Sequence, residues 1–283
     1  MKIKEIDVVI EAALKEDMPR GDITSDNIVP RRSVSKAVFL AKQDGVLAGI
    51  NVAGRVFRRV DPRITFRKFY QDGQSFKAGQ VLAEVSGPSI SILKGERTAL
   101  NFLQRMSGIA TTTKEFVDAV AGTKTRILDT RKTTPGLRIL EKYAVRTGGG
   151  ENHRLNLSTM VLIKDNHLRL VGNIPDAVQK ARKKVGRGIK IEVEVTDFDQ
   201  ARQAVEAGAD MIMLDNMPPK TMGNIIGWVK GRIPIEVSGN VNLKNVRRIA
   251  ALGPDYISIG KLTHSYASLD LSLEFVEHER GQS

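Results

Sequence analysis

From Arg126 to Gly260 the chain repeats one pattern, a short apolar run followed by a longer stretch with helical spacing. The runs are RILDT, TMVLIKD, IKIEVEV, DMIMLDN, IPIEVSG and DYISIG. The stretches between them include PGLRILEKYAV, IPDAVQKARKKV, FDQARQAVEAG, PKTMGNIIGWV and LKNVRRIAAL. Apolar runs of strand length separated by amphipathic helices point to a parallel sheet covered on its outer face, because parallel strands need long crossover connections. Six such units, with a further short strand expected near residue 155, predict a (β/α) barrel that is incomplete.

The first third of the chain reads differently. Ile3, Ile6, Val9, Ile10, Ala13 and Leu14 recur at helical spacing, with Glu5, Asp7 and Glu11 among them, which predicts an amphipathic helix rather than a signal peptide. Residues 34–47 read as strand, Asp44-Gly45 turn, strand, and a helix is expected near Val52–Val60. ITFRKFYQDGQSFKAGQVLAEVSG then alternates around Asp72-Gly73 and Ala78-Gly79, predicting short antiparallel strands. From about Ser91 the period turns helical through SILKGERTALNFLQRMSG. The expected organisation is an N-terminal α/β sandwich-like domain over residues 1–110 and an incomplete α/β barrel over 111–267. Residues 268–283 are expected to pack back on the first domain.

Composition narrows the function. The 283 residues contain no cysteine, which excludes disulfides and thiolate metal sites. No apolar run reaches the length of a membrane span, so no membrane association is expected and a cytoplasmic location is. A net charge of +12 suits steering of an anionic partner. Nucleic acid is the other polyanion to weigh, but aromatics are only 5% and no basic stretch carries a stacking platform. A small polyanion is the better fit.

In barrels of this kind the C-terminal ends of the strands face the active site. Here those ends carry Asp129, Arg131 and Lys132, then Lys164 and Asp165, Glu194, Asp215 and Asn216, Ser238, Gly239 and Asn240, and Gly260. For Asp165, Asp197 and Asn216, helix capping is an equally good reading. Arginine offers paired donors to carboxylate or phosphate, and lysine a compact charge. Glu194 and Asp215, on consecutive strands, could share a Mg²⁺ with phosphates or else form salt bridges to Lys132 and Lys164. Ser238-Gly239-Asn240 and Gly260 suit backbone binding of a phosphate. Gly148-Gly149-Gly150 precedes Asn152-His153-Arg154, where His153 reads as a donor to an anionic substrate, whereas His167 and His264 read as structural. Arg97 follows Glu96 on a helix and reads by itself as half of a weak surface pair.

The strings ERTALNFLQRMSGIAT, GTKTRILDTRKTTPGLR, RTGGGENHR, LIKDNH, EVEV, MLDN, EVSGN and KLTHS closely resemble the quinolinate phosphoribosyltransferase family. The resemblance covers nearly the whole chain and is densest from 96 to 167, with Lys261 standing where the family often has a small residue. It implies transfer of a phosphoribosyl group from 5-phosphoribosyl 1-pyrophosphate (PRPP) to quinolinate. The products would be nicotinate mononucleotide, pyrophosphate and CO₂, with Mg²⁺ as cofactor. It further implies a homodimer or higher homo-oligomer in which Arg97 is donated to the neighbouring subunit's site. By the same resemblance Arg97, Thr130, Arg131, His153 and Arg154 would bind quinolinate, and Lys132 and Lys164 would lie between the substrates. Glu194 and Asp215 would hold the ribose and Mg²⁺, and Ser238, Gly239, Asn240 and Gly260 the 5′-phosphate. A same-fold paralogue acting on another acid is the nearest rival, and the intact DTRKTTPGLR and GGGENHR strings argue against it.

Overall fold

The computed structural model describes residues 3–186 and 188–276. Its strands, in chain order, are β1 (Val34–Ala41), β2 (Gly45–Val46), β3 (Thr65–Lys68), β4 (Ser75–Phe76), β5 (Val81–Pro88), β6 (Arg126–Leu128), β7 (Val161–Ile163), β8 (Ile191–Val195), β9 (Met211–Asp215), β10 (Ile235–Ser238), β11 (Tyr256–Ser258) and β12 (Leu271–Phe275). The chain forms two compact units. The first takes the described residues up to Lys114, then Thr133–Gly149, then the chain from Leu262. The second takes Glu115–Lys132 and Gly150–Lys261. The division expected at residue 110 therefore falls at Lys114, inside one unbroken helix, Ser89–Ala119, where no turn residue could announce it.

The first unit is built on an antiparallel sheet in the order β12-β1-β5-β3. One face of β1 buries Ala37, Phe39 and Ala41. Helix Ile50–Val60 buries Val52, Ala53, Val56 and Phe57. Phe39, Phe57 and Phe66 form a three-ring cluster with centroids 5.8–6.0 Å apart, a geometry that favours edge-to-face and offset contact. The hairpin expected over 34–47 does not form. Asp44 accepts the Ala78 N–H at 3.0 Å and pairs with Lys77, which directs β2 to β4 instead of back to β1. At its end, in the stretch expected to pack back over residues 268–283, the chain pairs β12 along β1. Residues 277–283 of that expectation lie outside the described residues.

One helix belongs to a different unit from the one its spacing suggests. Arg138–Thr147 is not a barrel crossover but part of the first unit. Its Glu141, fully buried, accepts the Thr134 N–H at 3.1 Å and pairs with Arg105, while the Tyr143 hydroxyl donates to Asp72 at 2.6 Å. The polar side chains that suggest a solvent face are the ones that dock the helix. At its end, a Cβ on Gly148 would lie 2.3 Å from the Ala110 carbonyl oxygen, so close packing explains this glycine.

In the second unit six parallel strands run in the order β6-β11-β10-β9-β8-β7. The strands β6 and β7 end the sheet on either side, which leaves an open barrel. No strand forms near residue 155 among the described residues; the 152–160 stretch is loop. Val193, Ile212, Leu214 and Val237 point outward under the helices and are fully buried. Helix Phe198–Glu206 packs across β8 and β9. Asp197 caps it by accepting the Gln200 N–H at 2.8 Å, and Asn173 caps Ile174–Lys184 in the same way.

Candidate active site

Strand alternation decides what faces inward. On β8, Glu192 and Glu194 share one side; on β9, Met213 and Asp215 do; on β10, Glu236 and Ser238 do. At the C-terminal ends these side chains, Glu192 excepted, line a cavity of about 550 Å³ with Thr130, Arg131, Lys132, His153, Arg154, Lys164, Asn216, Gly239, Asn240 and Ser258. Of the residues to which the resemblance gives a binding role, the second unit thus gathers all but two into one cavity. Gly260 follows β11 but is not in the lining, and Arg97 lies on the first unit's helix, exposed, 3.9 Å from Glu96. A larger cavity of about 680 Å³ in the first unit is lined largely by apolar residues such as Val8, Ala12 and Phe102, and its Arg105 is already paired with Glu141. It offers no convergent chemistry.

The cationic half of the cavity is held by β6 and the loop after it. Thr130 accepts the Lys132 N–H at 3.0 Å and closes the turn that presents Arg131 and Lys132. Asp129, fully buried, accepts the His153 backbone N–H at 2.9 Å and the Asn152 side chain at 2.6 Å, which fixes the loop behind His153 and Arg154. Arg154 donates to the Met160 carbonyl at 3.1 Å and, among the described residues, has no carboxylate within salt-bridge distance. Burial, then the neighbouring Arg131 charge, lower its affinity for its proton. Two guanidiniums held side by side favour an anion between them.

The opposite half is acidic and polar. Lys164 pairs with Glu194, which leaves one Glu194 oxygen outside any hydrogen bond to the described residues. Asp215 accepts the Asn216 side chain at 3.0 Å through one oxygen and likewise keeps the other. His167 serves its own helix by accepting the Lys164 N–H at 3.0 Å.

Beneath lies a group that sequence reading missed. His153 Nε2 is 3.0 Å from Glu192 and 3.4 Å from Glu236, and both carboxylates are fully buried. Burial raises the Glu192 carboxyl, the adjacent Glu236 raises it further, and His153 opposes; the result is about 7. Burial lowers His153, but its bonds to Glu192 and Glu236 outweigh that and lift it to about 10. The Arg154 backbone N–H points at the other ring nitrogen, Nδ1, at 2.7 Å. That contact orients the ring and aims Nε2 at the two carboxylates. These are the only three His or acidic residues among the described ones close enough together to share a metal ion. The signal available in the sequence was E-V-E on one strand and E-V-S on another, where acids two residues apart must share a face.

Two family models cover this chain: the quinolinate phosphoribosyl transferase N-terminal domain over residues 22–107 and the C-terminal domain over 109–274. The chain belongs to the quinolinate phosphoribosyltransferase family. A relative from Bacillus subtilis (strain 168), named probable nicotinate-nucleotide pyrophosphorylase [carboxylating], is 44% identical over 259 residues, 92% of this chain and 89% of its own. One from Nicotiana glauca, named quinolinate phosphoribosyltransferase [decarboxylating] 2, mitochondrial, is 41% identical across 94% of this chain and 81% of its own. The crystal structure of NadC from Streptococcus pyogenes superposes with a TM-score of 0.94 at 41% identity, covering 98% and 99% of the two chains. The family's two-domain α/β architecture is therefore the one seen here. No helix among the described residues is long and apolar enough to cross a membrane.

Proposed function

We propose that this protein transfers the phosphoribosyl group of PRPP to quinolinate and releases pyrophosphate and CO₂, forming nicotinate mononucleotide for NAD biosynthesis. The observation that carries the reading is one cavity with two chemically distinct halves. Arg131 and Arg154 stand together on one side, and Glu194, Asp215 and the Ser238–Asn240 loop on the other, with Lys132 and Lys164 in the same lining. The first half suits the two adjacent carboxylates of quinolinate, and the second suits the ribose hydroxyls and 5′-phosphate of PRPP. The ring nitrogen of quinolinate attacks the ribose C1 as the bond to pyrophosphate breaks. The alkylated ring is cationic and accepts the electron pair left when the 2-carboxylate departs as CO₂; a proton then replaces it at that carbon. The chain needs to supply position and charge rather than a nucleophile, and Lys132 and Lys164 stabilise negative charge growing on the leaving group.

Mg²⁺ fits the site. Glu194 and Asp215 each keep an oxygen for a hard cation, directly or through water. When bound it would neutralise charge on the leaving pyrophosphate. The protein acts as a homodimer or higher homo-oligomer in the cytoplasm, with Arg97 of one subunit completing the quinolinate half of its neighbour. Support for the last point is that Arg97 is exposed, and its contact with Glu96 at 3.9 Å is too weak to occupy it.

The test is a product assay with purified protein, quinolinate, PRPP and Mg²⁺, with an EDTA control and nicotinate as competing acceptor. Nicotinate mononucleotide and CO₂ formed only with Mg²⁺ is the expected result. Turnover of nicotinate in preference to quinolinate would move the claim to a monoacid enzyme and overturn this one.

A further inference from the structure

Resting on the phosphoribosyl-transfer reading, we infer that Asn216 is a positioning residue for PRPP, an amide clamp that joins the Asp215 carboxylate to the Ser238–Asn240 loop. Its place directly after β9 suggests a helix cap, but the next helix is Pro219–Val229 and its cap position is Pro218. The Asn216 side chain points elsewhere. Its Nδ2 donates to Asp215 at 3.0 Å, and its Oδ1 accepts from Asn240 Nδ2 at 3.0 Å. Its backbone N–H donates to the Ser238 carbonyl at 3.0 Å. One residue thus binds both the carboxylate on β9 and the loop after β10.

Backbone conformation supports the same role. Asn216 and Asn240 both have φ of 51°, in the left-handed region where asparagine is the side chain most at home after glycine. The other non-glycine residue in that region among the described ones, Lys230, ends a helix, where such a conformation is ordinary. The two asparagines face one another across neighbouring strand ends and are joined by their side-chain amides. Gly239 completes the interlock. At φ 91° it already needs glycine, and a Cβ there would lie 2.2 Å from Asn216 Oδ1. The amide occupies the space a side chain would take. Asn245 braces the far side by donating to the Asn240 carbonyl at 2.9 Å. The clamp therefore sets the rotamer of Asp215 and the direction of the loop's backbone N–H groups together, so both would reach one PRPP molecule in register.

Asn216→Gly tests this, because it keeps the left-handed backbone and removes only the amide. The expected result is a rise of about tenfold or more in KM for PRPP, with KM for quinolinate changed less than twofold, as expected for losing hydrogen bonds to a charged group on one side of the site. Gly239→Ala displaces the amide from the other side and should give the same PRPP-selective loss. In the double variant the second substitution should add less than it costs alone, because the amide it meets is gone. Calorimetric titration of PRPP with Mg²⁺, without quinolinate, reads the same loss with no turnover. A PRPP affinity within twofold of wild type in Asn216→Gly overturns the inference. Equal losses for both substrates alongside a lowered Tm also overturn it, since that is a structural role. A poorly folding Asn216→Gly leaves the decision to Gly239→Ala by the same titration. Wild-type protein that binds PRPP but makes no nicotinate mononucleotide overturns the reading of the reaction alone, and the titration still decides Asn216.

Discussion

Replacing Glu192 by glutamine should make the protein more stable relative to wild type as pH rises. Glu192 is fully buried on β8, and its carboxyl is pushed from 4.5 to about 7 by burial and the adjacent Glu236, against the opposing effect of His153. A raised carboxyl contributes stability that is present in full below pH 4.5 and lost as pH climbs through 7. At about 1.4 kcal/mol per unit, the loss is about 3 kcal/mol. The glutamine amide would keep an acceptor for His153 Nε2 and carry no charge at any pH. At pH 5 the two proteins should therefore differ little. By pH 8.5 the variant should gain up to about 3 kcal/mol, a relative rise in Tm of roughly 6–12 °C for a chain of this size. Thermal unfolding of both proteins at the two pH values measures it, and titrating groups outside the cluster cancel in the difference. A gap that is the same at pH 5 and pH 8.5 would refute the raised Glu192 carboxyl. A variant that loses stability on going to high pH would show that the cluster holds its charge as a salt bridge instead.

Three further outcomes are expected. Phe57→Ala removes the fully buried ring that meets Phe39 and Phe66, and should cost about 3–5 kcal/mol in urea unfolding; a cost under 1 kcal/mol would mean the cluster collapses into the space. In Gly108→Ala a Cβ would lie 2.0 Å from the Ala267 carbonyl oxygen, so the backbone must move, at about 1–3 kcal/mol; an unchanged urea midpoint would contradict the packing. Arg97→Ala and Arg131→Ala should each lower kcat/KM by about 100-fold or more. If Arg97 acts across subunits, refolding the two together should restore up to about a quarter of wild-type activity, because half of random dimers are mixed and each mixed dimer has one intact site. No recovery would place both arginines in the same subunit's site.

The barrel could be read from the chain because parallel strands buried on both faces leave continuous apolar runs, and five of those runs lie next to helices with clear spacing. The helix of residues 138–147 misled because spacing reports a helix's amphipathic face and not its partner. Glu141 and Tyr143 look solvent-facing until Arg105 and Asp72 are known to meet them. The strand-end residues Arg131, Lys132, Lys164, Glu194 and Asp215 could be named since any barrel gathers its strand ends. Glu236 could not, because the sequence does not say which inward layer a residue occupies or which histidine it meets. Asn216 reads as a cap in the sequence, and only the structure shows that the next helix is capped at Pro218 while the Asn216 amide bonds Asp215 and Asn240. Arg97 has no local signal, and its proposed role came from resemblance.

The first unit is assembled from three separated pieces of chain, and the last of them supplies β12, the outer neighbour of β1. During synthesis on the ribosome β1 emerges more than two hundred residues before its partner. Until then its row of backbone donors and acceptors is an open template along one edge, carrying Phe39 and Leu40 in the same strand. The nascent chain must therefore carry an aggregation-prone edge for most of its translation, and a shortened message that stops before Leu271 would leave that edge exposed for good.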